Sequence, residues 1–403
     1  MQRRDFLIES GRTVLGASLL DLAACSRTER GASTLEDDPG WSSRLADLER
    51  RIPPLLERAA VPGLSLALIH DGALRWRRGF GVKDARTREP VDVETVFEVG
   101  SVSKTVFAYV VMKLCEKGVL SLDAPLTQYT PERLLPDDPR LDLITARHVL
   151  SHTTGLPNWR SSDDPLHLHF TPGTQYSYSG EGFSYLQSVV TRLTGRVEPN
   201  DCGTFELSLR VCGTDFDRYM QVNLLQPFGM TSSGYLWNGR WAARVAHAHD
   251  VKGTPLDRGR PSPPTVARYG AAGGLLTTPS DYARFVLEVL TPKPADAFRL
   301  TQASLREMLR PQVEVPNDPR EHARGLGWGI QRRPEGVLIL HGGSNPGFQS
   351  LVAASPSQHS GLVIVTNGDN GYDVIEDVVA SEAVQGLLKM EARVERARAN
   401  PEP

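Results

Sequence analysis

The feature that most constrains this chain is a helix whose side chains are apolar on nearly every face. Residues 97–118 read FEVGSVSKTVFAYVVMKLCEKG. Valine, phenylalanine and leucine recur at helical spacing over residues 106–114, and Tyr109 and Met112 fill most of the remaining faces. Such a helix is expected to be buried, because no face of it is suited to water. The other elements of the chain must therefore pack around it.

Two polar residues stand at the start of this helix. Ser101 and Lys104 are three positions apart, so their side chains share one helix face and can meet. A lysine in a partly dry pocket loses basicity and can act as a neutral base, while the helix N-terminus favours a developing negative charge. The pattern S-x-x-K alone occurs by chance about once or twice in a chain this long. Its position at the mouth of a buried helix favours a nucleophilic serine.

Composition limits the other classes of function. The chain has 403 residues, of which 40% are hydrophobic, enough for one large domain or two smaller ones. The formal net charge is −3 and no basic block is present, so nucleic acid is not expected as a partner. No apolar run reaches the roughly 20 residues that a membrane-spanning helix needs.

The N-terminus resembles an export signal. Arg3 and Arg4 precede a modestly apolar segment that ends in Leu-Ala-Ala-Cys at Cys25. We interpret residues 1–24 as a Tat-type lipoprotein signal peptide, Cys25 as the lipidated residue and residues 25–40 as a tether. The protein would then be exported to the periplasm or cell envelope and touch the membrane only through its lipid. An ordinary cleaved signal or a frayed basic N-terminus is the alternative.

The remaining cysteines fit an oxidising compartment. Cys115 lies on the buried helix, where a free thiol is simply a small hydrophobe. Cys202 and Cys212 lie in a polar, glycine-containing stretch, and we predict a local disulfide between them. Half of a zinc site is the weaker alternative, since no matching ligands accompany the pair.

Strand-forming sequences stand at both ends of the chain and helical ones between them. We predict, in order, an amphipathic helix over residues 41–60, a β-hairpin turning at Asp71 and Gly72, a mostly helical region with long loops over about 123–290, strands after residue 310, and a closing helix over 374–394. Thr278 or Ser280 caps a helix within the helical region. This order predicts an α/β fold whose sheet is assembled from both termini, with a helical subdomain inserted.

Two other stretches carry candidate chemistry. Tyr178 lies in a turn before a helix, where a phenol can pass protons between a serine, a lysine and a leaving group. A packed aromatic among its tyrosine and phenylalanine neighbours is the alternative. A strand also runs into His341, Gly342, Gly343 and Ser344, where glycines let a substrate approach the backbone and an N–H can complete an oxyanion hole. A mere turn is the alternative there.

Several histidines are candidate metal ligands or catalysts. The candidates for a metal are His247, His249 and Asp250, and the pair His167 and His169. Alternate residues share a strand face, but solvent-exposed loops explain them equally well, so we predict no metal and no cofactor. His152 is interpreted as a structural hydrogen-bonding residue. The absence of a G-x-S-x-G motif disfavours an α/β-hydrolase.

Taken together, these motifs resemble the serine β-lactamase-related hydrolases, which include class C β-lactamases, D-alanyl-D-alanine carboxypeptidases and esterases of the same fold. The resemblance rests on FEVGSVSKTV, ITARHVLSHTTGLP, PGTQYSYS, GGLLTTPSDYARF and HGGSNPG, and spans about residues 41–388. It implies an antiparallel sheet flanked by helices and a hydrolase domain over residues 41–395. It also implies that Ser101 is the nucleophile, that Lys104 is its base and that Tyr178 is a proton relay.

The same resemblance implies that the backbone N–H groups of Ser101 and Ser344 form the oxyanion hole, with His341, Gly342 and Gly343 on the strand beside it. Two positions depart from the family pattern. Gly180 replaces the asparagine of Y-x-N, and His341-Gly342 replaces the lysine and threonine of K-T-G. A side-chain amide and a fixed cation that would grip a substrate are therefore expected to be weak or missing. Glu181 or the stretch around residues 198–218 could replace these contacts.

These departures leave the acylation machinery in place and point to a serine hydrolase that cleaves esters through a Ser101 acyl-enzyme. A D-amino-acid peptidase or DD-carboxypeptidase comes second and a weak β-lactamase third, so the expected substrates are small-molecule esters, peptides or β-lactams. A non-catalytic penicillin-recognising lipoprotein is the alternative from another class. The sequence does not predict the oligomeric state.

Overall fold

Eight strands of the chain form one antiparallel sheet. The computed structural model describes residues 39–130, 133–161, 165–195 and 212–388. The strands are β1 Gly63–His70, β2 Ala73–Gly81, β3 Phe97–Glu98, β4 Leu276–Thr277, β5 Val313–Glu314, β6 Ala323–Arg324, β7 Gly329–Arg333, β8 Gly336–Asn345, β9 Phe348–Ser355 and β10 Ser360–Thr366. The sheet order is β2-β1-β10-β9-β8-β7-β6-β5, and β3 pairs separately with β4.

Ten α-helices flank these strands in the described ranges. They are α1 Pro39–Arg58, α2 Ser103–Glu116, α3 Ala146–Leu150, α4 Gly180–Thr194, α5 Gly213–Met220, α6 Pro263–Gly273, α7 Pro279–Leu290, α8 Gln302–Leu309, α9 Gly371–Val379 and α10 Glu382–Leu388. Helices α3 to α7 lie between the N-terminal and C-terminal strands, as the sequence predicts. Within the described ranges, no helix is long and apolar enough to cross a bilayer.

An N-terminal strand and the last strand of the sheet pair with each other. β1 pairs antiparallel with β10, from Leu64 opposite Thr366 to Ile69 opposite Gly361. The hairpin between β1 and β2 turns at Asp71 and Gly72, both with positive φ, as a tight two-residue connection requires. The predicted α/β fold, with an antiparallel sheet built from both termini, is confirmed.

Core residues cover both faces of the sheet. Successive strand residues point to opposite faces, so Leu66 and Leu68 of β1 pack with α1, α9 and α10, whereas Ala67 and Ile69 belong to the core that contains α2 and α7. In α2 every residue from Ser103 to Met112 is buried. This burial confirms the expectation from its all-round apolar sequence and fixes the start of α2 in the interior.

Two helix boundaries refine the predictions from sequence. Thr278 rather than Ser280 caps α7, since its side chain accepts a hydrogen bond from the Asp281 N–H. The single closing helix predicted over residues 374–394 is wrong, because α9 ends at Val379 and α10 begins only at Glu382. Between them the Ser381 hydroxyl donates to the Val378 carbonyl at 2.6 Å, a local side-chain bond that competes with helix continuation.

Several predictions fall on parts of the chain that the structure does not describe. They are the signal peptide over residues 1–24, Cys25, most of the tether, Cys202 and the end of the predicted domain beyond residue 388. The described residues all belong to one unit, Thr34–Pro403.

Candidate active site

Gly100 brings the start of α2 against strand β8. A single 3₁₀ turn, Gly100–Val102, precedes α2 and carries Ser101. Gly100 has a φ of +53°, and a Cβ built there would lie 2.7 Å from the Ser344 nitrogen. Only glycine fits both the backbone angle and this close approach. The contact places Ser101 beside Ser344, the two residues whose N–H groups the family resemblance assigns to the oxyanion hole.

Lys104 is bonded to Ser101 inside the protein. Its Nζ lies 3.1 Å from Ser101 Oγ and donates a second bond of 2.6 Å to the Ala272 carbonyl. The side chain is 0% exposed, and no carboxylate of the described residues pairs with it. Burial, helped by the positive charge of Arg324, holds the pKa of Lys104 well below its usual 10.5. A neutral amine in this position can accept the Ser101 proton.

Tyr178 packs over the Lys104 amine. The Nζ lies 4.9 Å from the centre of the Tyr178 ring, and the His152 ring stacks on the same tyrosine at 4.2 Å. Burial raises the pKa of Tyr178 above its ordinary value, and Arg324 and the Ser101 side chain oppose that rise only in part. Its buried hydroxyl makes no hydrogen bond of good geometry with the described residues. The structure thus brings a neutral phenol to Ser101 and Lys104.

His152 has the structural role expected from the sequence. Its Nδ1 accepts a 3.0 Å hydrogen bond from the Ser179 N–H, which orients the turn that carries Tyr178. Burial is the main cause that holds the pKa of His152 well below 6.5, so the ring is neutral near pH 7. His152 therefore helps to position Tyr178.

Strand β8 presents an edge to the site without a strand partner. β7 pairs with β8 only from Gly336 to Leu340, so from His341 onward β9 is the only partner strand in the described part of the sheet. Beyond Leu340 side chains take the place of a second strand, since the Gly342 carbonyl accepts from His341 Nδ1 and the Gly343 carbonyl accepts from the Tyr372 hydroxyl at 3.2 Å. The predicted strand and its place beside Ser101 are both found in the structure.

The two glycines of β8 serve internal packing more than substrate approach. A Cβ on Gly343 would lie 2.1 Å from the Val99 carbonyl oxygen, and one on Gly342 would lie 2.8 Å from the Tyr372 hydroxyl. Gly342 lines the cavity in front of Ser101, whereas Gly343 does not. The expectation that both glycines make room for the substrate is corrected at Gly343, where the space is filled by protein.

His341 is a neutral residue in this structure. It is 2% exposed, and its Nδ1 lies 2.6 Å from the Gly342 carbonyl and donates to it. Burial, with Arg324 and Lys104 nearby, holds the pKa of His341 well below 6.5. His341 therefore carries no charge at neutral pH and cannot replace a fixed cation.

A cation that the sequence analysis missed does line the cavity. Arg324, on β6, is 6% exposed, and its guanidinium carbon lies 5.6 Å from the centre of the Tyr178 ring. The expectation that the site lacks a fixed positive charge is therefore corrected. No spacing rule links Arg324 to Ser101, since the two are far apart in sequence, and only the sheet brings them together.

Trp159 explains the glycine at position 180. A Cβ on Gly180 would lie 2.5 Å from the Trp159 ring and 2.8 Å from the Asn158 carbonyl oxygen. The Gly180 N–H also donates to the Asn158 side-chain oxygen at 3.1 Å. The Trp159 ring packs edge-on against Tyr269 at 5.2 Å, and both rings line the cavity. The Trp159 ring thus fills the space that a side chain at position 180 would need, and the Asn158 side-chain amide lines the cavity beside it.

These groups surround a cavity of about 840 Å³. At its rim Glu98 accepts from Arg258 at 3.1 Å and from the Asn345 amide at 2.7 Å. Glu181 was a candidate for the missing substrate contacts, and this is wrong: it is 1% exposed, pairs with Arg160 and does not line the cavity. Most of the stretch around residues 198–218 lies outside the described residues.

The remaining candidates form no second site. Both ring nitrogens of His249 are used internally, with Nδ1 2.8 Å from the Asn367 carbonyl and Nε2 accepting from the Ala85 N–H. His249 is buried, so the exposed-loop interpretation was wrong for it. The His167 and His169 rings pack edge-on, with their centres 4.3 Å apart. Among the described residues no three histidine, cysteine or acidic side chains cluster as a metal site.

Only one cysteine of the predicted pair lies within the described residues. Cys212 is buried just before α5, and no cysteine of the described ranges is bonded to it. Cys202 lies outside the described residues. The Cys202–Cys212 disulfide therefore stays a prediction.

The chain has the β-lactamase/transpeptidase-like fold, an antiparallel eight-stranded sheet flanked by helices. The Ser101–Lys104 pair lies at the start of the buried helix α2. A model of the family described as Beta-lactamase matches residues 48–385. The chain belongs to this Beta-lactamase family, whose members are generally serine hydrolases that act on small molecules or peptides.

Known relatives and structures are similar over most of the chain. Protein flp of Staphylococcus aureus (strain MRSA252) is 21% identical over 341 residues, 79% of this chain and 62% of flp. The Beta-lactamase of Lysobacter lactamgenus is 26% identical over 366 residues, 82% of this chain and 88% of that protein. The D-alanine carboxypeptidase AmpC of Burkholderia cenocepacia superposes with a TM-score of 0.68 at 21% identity, covering 86% of this chain and 99% of that one. The chain thus spans less than two thirds of flp.

Proposed function

We propose that this protein is an exported serine hydrolase that cleaves ester bonds through an acyl-enzyme on Ser101. The observation that carries the proposal is the 3.1 Å contact between Ser101 Oγ and a fully buried Lys104 amine. Burial without a carboxylate partner lowers the pKa of the amine and so favours its neutral form, which is the state a general base requires.

The proposed acylation step uses four groups. Lys104 Nζ accepts the Ser101 proton while Oγ forms a bond to the substrate carbonyl carbon. The carbonyl oxygen becomes negative and is held by the N–H groups of Ser101 and Ser344. When the tetrahedral intermediate collapses, the bond to the leaving oxygen breaks, and that oxygen receives the proton from Lys104 through the Tyr178 hydroxyl.

Deacylation repeats these steps with water as the nucleophile. Water gives a proton to the Lys104–Tyr178 pair and its oxygen bonds to the acyl carbon. Ser101 Oγ then leaves, takes the proton back and releases a carboxylic acid. No metal or cofactor enters the scheme.

Esters are ranked first among substrates for two reasons. An alkoxide or phenoxide departs more readily than an amine, so an ester needs less help at the leaving group. Gly180 also has no side-chain amide with which to hold the acyl amide of a peptide or β-lactam, and the Trp159 ring fills the space into which such a side chain would project. Hydrolysis of D-amino-acid peptides comes second and of β-lactams third.

The test compares kcat/KM for a p-nitrophenyl ester of a short acid and for a chromogenic cephalosporin on one purified sample. We expect the ester value to be at least about tenfold higher, because an unmade hydrogen bond to the acyl amide costs about 1–2 kcal/mol. A cephalosporin value equal to or above the ester value would reverse the ranking.

Covalent labelling separates the enzyme from a non-catalytic binding protein. Intact mass after reaction with a fluorophosphonate should increase by one adduct, and the Ser101→Ala variant should remain unlabelled. A wild-type protein that neither labels nor turns over any ester, peptide or β-lactam would favour the non-catalytic alternative.

A further inference from the structure

An exposed aromatic surface lines the cavity in front of Ser101. Trp159 is 41% exposed and Tyr372 is 37% exposed, and they are the only aromatic residues among the exposed large hydrophobic side chains of the described ranges. Both line this cavity. Apolar surface in contact with water is unfavourable, and where it lines a cavity it is typical of a binding site.

The exposure of Tyr372 has a structural explanation, whereas that of Trp159 does not. The Tyr372 hydroxyl donates to the Gly343 carbonyl at 3.2 Å, so this side chain stays beside β8. Trp159 lies against Gly180, where a Cβ would be 2.5 and 2.6 Å from two atoms of its six-membered ring. The backbone at position 180 thus makes room for a ring that remains exposed, although a smaller side chain at position 159 would expose less apolar surface. This arrangement points to a function for the Trp159 ring.

Trp159 and Tyr269 form an aromatic corner in the wall of the cavity. Their ring centres are 5.2 Å apart and their planes stand at 76° to each other. The guanidinium carbon of Arg268 lies 5.1 Å from the centre of the Tyr269 ring, and Arg268 itself does not line the cavity. Val266 and Pro261 extend the apolar lining. A third aromatic ring can pack against such a corner edge-on or offset, with ring centres about 4.5–7 Å apart.

The charged side chains that line the cavity already have partners. Arg258 donates to Glu98 at 3.1 Å, and Arg324 donates to Glu321 at 2.8 Å. The aromatic corner is itself uncharged. An uncharged ring therefore suits this part of the cavity better than an ion does.

We propose that Trp159 and Tyr269 bind an aromatic ring in the acyl part of the substrate, so that the enzyme prefers arylacetyl esters to alicyclic esters of the same size. In the mechanism proposed above, the leaving oxygen faces the Tyr178 hydroxyl. The Trp159 ring instead fills the space into which a side-chain amide at position 180 would project toward the acyl group. This substrate class rests on the ester hydrolysis proposed above.

The experiment uses two esters with a single ring in the acyl part, 2,2,2-trifluoroethyl phenylacetate and 2,2,2-trifluoroethyl cyclohexylacetate. The measured quantity is the ratio of their kcat/KM values, phenyl over cyclohexyl, after each is divided by its rate constant for hydrolysis by hydroxide. We expect a ratio of at least about 3 in the wild type and a fall of about 3- to 10-fold in Trp159→Leu, the range for one aromatic contact. Trp159→Phe should retain part of the preference.

The wild-type ratio alone can overturn the proposal. The two esters share the leaving group and have rings of similar size, but the cyclohexyl ring is the more hydrophobic. Burial of apolar surface without aromatic contact therefore favours the cyclohexyl ester. A wild-type ratio of 1 or less would mean that the corner does not select an aromatic ring.

Two further variants separate recognition from structural damage. Tyr269→Leu removes the other ring of the corner and should lower the ratio in the same direction. Phe80→Leu removes a ring on β2 that packs with the core around α1 and does not line the cavity, so the ratio should stay within about twofold of wild type. Thermal melting verifies that each variant is folded. A wild-type ratio in Trp159→Leu would overturn the proposal, as would an equal fall in Phe80→Leu.

A second pair of esters tests the side of the substrate. Benzyl acetate and cyclohexylmethyl acetate carry the same two rings in the leaving group. Their ratio should change by less than about twofold in Trp159→Leu, because the acetyl group places no ring at the corner. A fall as large as that for the first pair would assign the corner to the leaving group and overturn the acyl assignment.

Binding to the Ser101→Ala protein tests the aromatic corner without turnover. Calorimetry should show trifluoroethyl phenylacetate binding at least about threefold more tightly than trifluoroethyl cyclohexylacetate, with the difference lost in the Ser101→Ala/Trp159→Leu protein. Equal affinities in Ser101→Ala would overturn the role of Trp159. If the wild type hydrolyses neither ester but this binding difference is found, the proposed function fails while the aromatic site stands.

Discussion

Lys104 is the residue whose surroundings set the reactivity of Ser101. Replacing it with methionine keeps the length of the side chain and removes the amine. In Lys104→Met we expect kcat/KM for a p-nitrophenyl ester to fall by about three orders of magnitude or more, because Ser101 loses its base. Lys113→Met, on the same helix but paired with Glu116 away from the cavity, should stay within about threefold of wild type. Wild-type turnover in Lys104→Met would contradict the mechanism.

The lowered pKa of His152 predicts how the free energy of unfolding depends on pH. Its pKa is lowered in the folded protein, so below about 6.5 the unfolded chain binds a proton that the native protein does not. The free energy of unfolding should therefore decrease as the pH falls below that value, by about 1.4 kcal/mol per pH unit for each such histidine. The free energy of unfolding is measured by urea denaturation between pH 7 and 5. For His152→Gln it should fall less steeply with decreasing pH than for the wild type, by the amount that corresponds to about one proton. Equal slopes would mean that His152 is protonated in the fold.

The sequence predicted those site residues whose meeting depends on local spacing. Ser101 and Lys104 share a helix face whatever the tertiary arrangement is. Tyr178 was predicted because its motif follows the S-x-x-K motif in the same order as in the family that the sequence resembles. Arg324 and Trp159 were missed, because each reaches the cavity only through the packing of distant elements. The role of Gly180 could not be read either, since the Trp159 ring that fills its space is a tertiary contact.

At the scale of elements, the contact between β8 and the start of α2 leaves no room for an added side-chain atom. In Gly343→Ala the new Cβ would meet the Val99 carbonyl and Ser350 Oγ at 2.1 and 2.3 Å, and a backbone atom cannot turn aside. We expect a loss of about 2–4 kcal/mol in the free energy of unfolding, together with lower kcat/KM. Gly239→Ala, where no atom lies within 4 Å, is the matched control and should change stability by less than about 0.5 kcal/mol.

Urea denaturation of the two alanine variants measures this difference directly. Equal stability of Gly343→Ala and Gly239→Ala would show that β8 can move away from the helix start. The position of Ser344 beside Ser101 would then not be fixed by packing.

Elements were predicted well where one periodicity holds over their whole length. The alternation in β1 and the Asp71-Gly72 turn gave the first hairpin, and the all-round apolar pattern gave α2. The closing helix was predicted as one piece because the apolar spacing continues across residue 381. In the structure the helix is interrupted there, where the Ser381 hydroxyl donates a hydrogen bond to the Val378 carbonyl. Interruptions of that kind depend on one hydrogen bond and leave little trace in periodicity.

At the scale of the whole molecule, the N-terminal motifs predict where the protein is located. We expect the wild type in the membrane fraction, attached through lipid on Cys25. Cys25→Ala should shift the protein to the soluble fraction after cell breakage, while Cys115→Ala, on α2, should leave it membrane-bound. Recovery of wild-type protein from the cytoplasm with Met1 intact would rule out export and lipidation together.

The pairing of β1 with β10 also has a consequence during synthesis. β1 is among the first strands to leave the ribosome and β10 the last, yet they are neighbours in the sheet. Until β10 emerges, the β1–β2 hairpin lacks its neighbouring strand on one side. The nascent chain must therefore keep an unpaired strand edge protected for almost the whole of translation. Stop codons even close to the 3′ end of the reading frame, before β10 is complete, should yield aggregation-prone products and no smaller folded fragment.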